Sequence, residues 1–142
     1  MNIYVDTSFL ISLYSPDVNS GAAARTMQGS KGTRFVTTFG ELEVVNALGL
    51  RVFRKEVSAA HAQSSLADFE QDLRDGLFQL RPLPDPVFER ARQLSRETTA
   101  RLGTRAADLL HVAAALELGA ASLYSFDQQQ RKLAQAMQLK LN

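Results

Sequence analysis

Ile3-Tyr4-Val5-Asp6-Thr7-Ser8-Phe9-Leu10 reads as a strand running into a helix. Ile3, Tyr4 and Val5 are strand formers in a row with no polar alternation, as expected of a strand covered on both faces. Asp6-Thr7-Ser8 ends the strand, and Thr7 or Ser8 is placed to cap a short helix through Phe9-Leu10-Ile11-Ser12-Leu13-Tyr14.

Beyond this stretch, Pro16-Asp17 reads as a turn into a helix over Ala22–Met27, closed by Gly29 and Gly32. Phe35-Val36-Thr37 is a second strand. Gly40 to Lys55 reads as a helix. Leu42, Val45, Leu48, Leu50, Val52 and Phe53 recur there at helical spacings, and Val44 and Ala47 widen the apolar surface. Val57 to Asp75 is another helix, with Ala60, Leu66, Phe69 and Leu73 as its buried positions and Gly76 as its end. Leu77–Leu80 is a third strand. Pro82, Pro84 and Pro86 delay the next helix to about residue 86, and it runs to about Glu97. Gly103-Thr104 opens a further helix to Leu118, with Leu109, Val112, Ala113 and Leu116 as its apolar set and Gly119 as its C-cap. Ser122–Phe126 is a fourth strand, followed by Asp127 and a helix to about Met137. Leu139–Leu141 is placed to add a short edge strand. This alternation predicts one α/β domain over residues 1–142. Its mostly parallel sheet has four to five strands, with helices on both faces.

Composition agrees. A chain of 142 residues is one domain at about 100–200 residues per domain. Hydrophobic residues make up 45% and charged residues 22%, which argues against wholesale disorder. A net charge of +1 excludes a strongly basic nucleic-acid coat and leaves room for a local basic rim. The absence of cysteine excludes disulfides, zinc–thiolate sites, iron–sulfur clusters and thiol chemistry. Only two histidines are present, so a metal site would rest mostly on oxygen. No stretch approaches about 18 consecutive apolar residues, so no membrane span is expected. The opening residues lack a basic leader and meet an acid at Asp6, which does not read as a secretion signal. The cytoplasm is the expected location.

In an open α/β sheet, ligands gather at the carboxyl ends of the strands. Asp6 and Asp127 fall at such ends, each near a helix start. Glu43 and Asp108 sit early in helices, in apolar surroundings where a lone ionised acid is costly. Four converging carboxylates repel one another, and a divalent cation removes that problem. Blander roles exist for each. Asp6 and Asp127 suit helix caps, Asp108 suits a pair with Arg101 or Arg105, and His111 suits a core or supporting role better than that of a metal ligand. Glu41 competes with Glu43, but residues two apart on a helix point about 200° from each other, so only one faces a site.

Four motifs carry a family resemblance. They are Tyr4-Val5-Asp6-Thr7-Ser8-Phe9-Leu10, Glu43-Val44-Val45-Asn46-Ala47-Leu48, Arg105-Ala106-Ala107-Asp108-Leu109-Leu110-His111-Val112-Ala113 and Ser125-Phe126-Asp127. In order and spacing the chain resembles the PIN-domain nucleases, and within them the VapC-type toxins of toxin–antitoxin pairs. The register of Asn46-Ala47-Leu48 favours Glu43 over Glu41. The resemblance implies metal-dependent endonucleolytic cleavage of RNA, leaving a 5′-phosphate and a 3′-hydroxyl. Asp6, Glu43, Asp108 and Asp127 would be the acidic, metal-holding set. Ser8 and Ser125 would orient a carboxylate, a water or the substrate phosphate. The implied cofactor is Mg²⁺, with Mn²⁺ as alternative. The implied partners are an RNA substrate, a small antitoxin and a second copy of the chain, with no membrane.

Arg101 and Arg105, Arg51, Arg54 and Lys55, and Lys31 and Arg34 are the candidate phosphate contacts. The apolar stretches Val44–Phe53 and Val57–Leu73 are long enough for both core and partner contact. Two other classes are weighed. A catalytically weak PIN-like module would bind RNA or protein without turnover. An Asp-centred phosphatase of the haloacid dehalogenase type is disfavoured, because Asp6-Thr7-Ser8 lacks a second Asp two positions on.

Overall fold

In the computed structural model, which describes residues 1–142, five strands form one sheet. They are β1 (Asn2–Val5), β2 (Thr33–Thr37), β3 (Gln79–Arg81), β4 (Ser122–Tyr124) and β5 (Lys140–Leu141). All neighbouring pairs are parallel, in the order β3-β2-β1-β4-β5. The connections are α1 (Thr7–Tyr14) and α2 (Ser20–Gly29), α3 (Thr38–Phe53) and α4 (Ala59–Arg74), α5 (Val87–Leu102) and α6 (Ala106–Glu117), and finally α7 (Gln128–Ala136).

β1 is central, with Tyr4 opposite Phe35 on one side and Leu123 on the other. Successive side chains of a strand point to opposite faces. Ile3 and Val5 therefore join Phe9, Leu10, Val44, Leu48 and Phe69, in the core under α1, α3 and α4. Tyr4 joins Ala91, Leu94, Leu109, Val112 and Leu133, in the core under α5, α6 and α7. The unalternated run Ile3-Tyr4-Val5 is a strand buried on both faces, as its sequence predicts.

Four local expectations are corrected. Asp6, not Thr7 or Ser8, caps α1: its side chain accepts the Phe9 N–H. Gly103 does not open a helix; it closes α5 in the left-handed conformation, and α6 begins at Ala106. Ala60 lies at the surface. On α3 the inward row is Gly40, Val44 and Leu48, whereas Leu42 is 63% exposed, Val45 44% and Phe53 82%. Periodicity detects an apolar surface on a helix. It does not say which edge of a wide one meets the sheet.

Candidate active site

From β1 the chain runs out to β2 and β3, then returns to place β4 on the other side of β1. A crevice opens at this reversal, outside the carboxyl ends of the strands. Asp6 is the first residue after β1 and is fully buried. Its Oδ1 accepts the Phe9 N–H at 3.0 Å and the Ser8 hydroxyl at 2.8 Å. Its Oδ2 accepts the Ser125 hydroxyl at 2.9 Å. The two serines also tie the loop after β4 to α1. The Phe126 N–H donates to Ser8 Oγ at 2.9 Å, and the Asp127 N–H donates to Ser125 Oγ at 3.0 Å. Burial pushes the Asp6 carboxyl above its ordinary range, and the nearby His111 and these hydrogen bonds only partly offset it.

Glu43 lies on α3, whose start is capped by Thr37. Both of its hydrogen bonds fall on one oxygen: Oε1 takes the Thr7 hydroxyl at 2.7 Å and bonds His111 Nε2. Burial raises Glu43, but the bonds from His111 and Thr7, with the charge of Arg105, hold it below the usual carboxylate range. His111 is buried on α6. Its Nδ1 lies 2.7 Å from the Tyr4 hydroxyl, which lies 3.2 Å from Thr37 Oγ1.

Asp108 also lies on α6, buried near its start. Oδ2 accepts the Arg105 backbone N–H at 2.9 Å, the return half of a capping box, and Arg105 Nε at 3.3 Å. Asp127 caps α7 by accepting the N–H groups of Gln129 and Gln130 on Oδ1. Its Oδ2 takes the other arm of Arg105 at 2.9 Å. A single guanidinium thus bridges two of the predicted acids. Asp6 and Asp127 are helix caps and members of the acidic set at once.

All four acids and Ser8 line one cleft of about 640 Å³; Glu41 does not. Ser125 stands behind Asp6 rather than in the lining. No three carboxylates or histidines are drawn together as a ready-made metal centre. Their partners explain the spread. Ser8 and Ser125 hold Asp6, Thr7 and His111 hold Glu43, and Arg105 holds Asp108 and Asp127. As a donor set the group suits a hard divalent cation. It offers only oxygen, Asp6 is buried without an ion-pair partner, and Glu43 Oε2 and Asp108 Oδ1 carry no hydrogen bond within the protein.

The basic candidates divide. Arg51, Arg54 and Arg105 line the cleft, whereas Lys31, Arg34, Lys55 and Arg101 do not. Arg51 is committed to Ser15 Oγ at 2.9 Å and Asp17 at 3.1 Å, and the Arg54 guanidinium bonds no other side chain. The parts Thr7, Tyr4 and Thr37 play in the site are not legible in the sequence. Each reaches the site through a partner more than thirty positions away, and no local pattern signals such a contact.

Residues 3–136 match the family model of the PIN domain. No curated protein matches the sequence significantly. Among solved structures, the chain is similar to Mycobacterium tuberculosis VapC20, described as a sarcin-ricin loop cleaving toxin. That match has a TM-score of 0.71 at 19% identity, covering 92% of this chain and 93% of the other. VapBC2 from Rickettsia felis, bound to a DNA fragment from its promoter, gives a TM-score of 0.67 at 16% identity, covering 100% and 98%. FitAcB from Neisseria gonorrhoeae gives 0.66 at 16% identity, covering 98% and 95%.

Proposed function

The chain belongs to the PIN-domain family, and we propose that it is a metal-dependent endoribonuclease, the toxin of a toxin–antitoxin pair. One observation carries the reading: Asp6, Glu43, Asp108 and Asp127, far apart in sequence, line a single cleft at the sheet's switch point. Asp6 and Asp108 would hold Mg²⁺, or Mn²⁺ as the alternative, with Glu43 and Asp127 as further oxygen donors. When bound, such a cation neutralises charge developing on a phosphate and makes a water more acidic.

The protein's own groups do the rest. Ser8 and Ser125 fix the Asp6 carboxylate by donating to both of its oxygens. Glu43, with Oε2 free, or Asp127 accepts a proton from the attacking water. The water oxygen bonds to phosphorus as the bond to the 3′ oxygen breaks, and a proton passes to that oxygen. The products are a 5′-phosphate and a 3′-hydroxyl. Arg105, 69% exposed, and Arg54 are the cleft's guanidinium groups best placed to meet backbone phosphates.

The partners follow from the surface. Leu42, Val45 and Phe53 leave α3 with an exposed apolar edge, which supports contact with a second copy or a small antitoxin. Light scattering on the eluting chromatographic peak tests the dimer, and a clean monomer at working concentration sinks it. No helix is long and apolar enough to cross a membrane.

A second reading, a PIN-like module that binds without turnover, draws on the spread of the four acids. One experiment separates the two. Structured and single-stranded RNAs are incubated with Mg²⁺, Mn²⁺ or EDTA, beside Asp6→Asn and Asp108→Asn proteins purified identically. The nuclease reading expects cation-dependent cleavage lost in both variants. Equal activity in all three proteins means a contaminant and removes the support. Cation binding by an inactive wild type favours the module.

A further inference from the structure

Gly40, Thr37, Tyr4, His111 and Glu43 form a continuous hydrogen-bonded chain from the interior to the cleft. Its links are 3.1 Å from the Gly40 N–H to Thr37 Oγ1, 3.2 Å from Thr37 Oγ1 to the Tyr4 hydroxyl, and 2.7 Å from that hydroxyl to His111 Nδ1. His111 Nε2 then bonds Glu43 Oε1. Tyr4, Thr37, Gly40 and His111 are all buried, so each hydrogen in the chain needs an acceptor within the protein.

The direction of the chain can be worked out by counting donors. The carboxylate end only accepts, and the Gly40 N–H only donates. Suppose His111 is the neutral tautomer with hydrogen on Nε2. Thr37 then donates to Tyr4, Tyr4 donates to Nδ1, and Nε2–H donates to Glu43. Every hydrogen is used once, and all run toward the carboxylate. A hydrogen on Nδ1 reverses this. It points at the Tyr4 oxygen and turns the tyrosine hydrogen onto Thr37, whose own hydroxyl hydrogen is left with no acceptor. Only the first arrangement satisfies every buried donor.

We propose that His111, locked by Tyr4 as the Nε2–H tautomer, is the positioning residue of Glu43: it pins Oε1 and leaves Oε2 for the chemistry of the cleft. Thr7 donates to the same oxygen at 2.7 Å, so two donors from different elements fix the carboxylate plane. The ring itself is held by packing. Tyr4 meets it edge-on at 5.7 Å between ring centroids, and Phe39 lies 5.1 Å away on the α3 side. The inference deepens the proposed function, because it rests on Glu43 belonging to the acidic site.

Two arms test it separately. In the first, long-range proton–nitrogen NMR spectra of the full chain read the imidazole tautomers. The chain has only two histidines, so His61→Gln assigns the remaining set. The expected spectrum for His111 at neutral pH has hydrogen on Nε2 alone, and Tyr4→Phe weakens that preference. Hydrogen on Nδ1, or a doubly protonated ring, overturns the proposal. This arm needs no catalysis. An Nε2–H spectrum from a wild type that cleaves nothing would support the tether and count against the nuclease.

In the second arm, cleavage kinetics and Mn²⁺ titration calorimetry compare His111→Leu with His111→Gln, whose amide keeps a donor at the Nε2 position. Loss of such a supporting bond costs about 10–100-fold in metal affinity or activity. His111→Leu is therefore expected to lose about that much in kcat with KM little changed, and His111→Gln to recover most of it. In a Glu43→Gln background the His111→Leu loss should vanish. An equal loss in both backgrounds means that His111 serves packing alone and overturns the proposal. Because that comparison is made within folded proteins checked by circular dichroism, a variant that unfolds is replaced by Tyr4→Phe, which removes one hydroxyl and predicts the same non-additivity.

Discussion

The Asp6 carboxylate is fully buried and no cationic side chain bonds to it. Its carboxyl therefore titrates higher in the folded protein than in the unfolded chain. Folding then disfavours the ionised form, and the cost builds as pH rises from the unfolded value through the folded one. Asp6→Asn keeps the size and an acceptor and removes that charge. In urea unfolding at pH 7 without divalent cations, Asp6→Asn should be more stable than wild type, although it is expected to be inactive. The advantage should shrink as pH falls and Asp6 itself becomes protonated. Midpoints that coincide at pH 7 would contradict the burial argument. Glu43 has the opposite sign, since its partners hold it below the usual range. Its contribution is present above the unfolded value and is lost as pH falls through the folded one.

At the scale of elements, the site depends on where β1 and β2 start and stop. Gly32 leads into β2 with a φ of +116°, and a Cβ built there would lie 2.2 Å from the Met1 carbonyl oxygen. That carbonyl accepts the Thr33 N–H at 2.9 Å, the contact that opens the β1–β2 pairing. Gly32→Ala must strain the backbone or move Met1. A loss of about 1–3 kcal/mol is expected in urea unfolding. Gly29, the last residue of α2, is the control, because a Cβ there meets nothing within 4 Å. Gly29→Ala should be neutral or stabilising by up to about 1 kcal/mol. The periodic apolar residues of α3 announced a helix correctly. Which of them are core was decided by packing on α1 and α4, which takes Val44 and Leu48 and leaves Leu42 and Phe53 outside.

Across the whole molecule, the fold gathers four carboxylates into one cleft and answers them with a single bridging guanidinium, Arg105, and a buried histidine. A cation that binds this cleft only in the folded state must stabilise the protein by mass action. At a concentration of 100 times Kd the gain is about 2.7 kcal/mol. Thermal unfolding with increasing Mg²⁺ or Mn²⁺ should show a rising Tm, and Asp108→Asn should flatten the rise. A Tm that ignores both ions up to millimolar concentration would remove the cation from the proposed chemistry.

The amino-acid sequence alone carries the alternation of strands and helices, and with it the parallel sheet. A strand such as Ile3-Tyr4-Val5 and the helix start at Asp127 are set by neighbours a few residues away. It also singled out Asp6, Glu43, Asp108 and Asp127, through local motifs in a particular order. What holds each acid is set by contacts distant in sequence. Thr7 reaches Glu43, Tyr4 reaches His111, and Ser125 reaches Asp6, all across different elements. Such contacts depend on strand order and helix rotation. Those are fixed by the simultaneous packing of both faces of the sheet, which no short stretch of sequence contains.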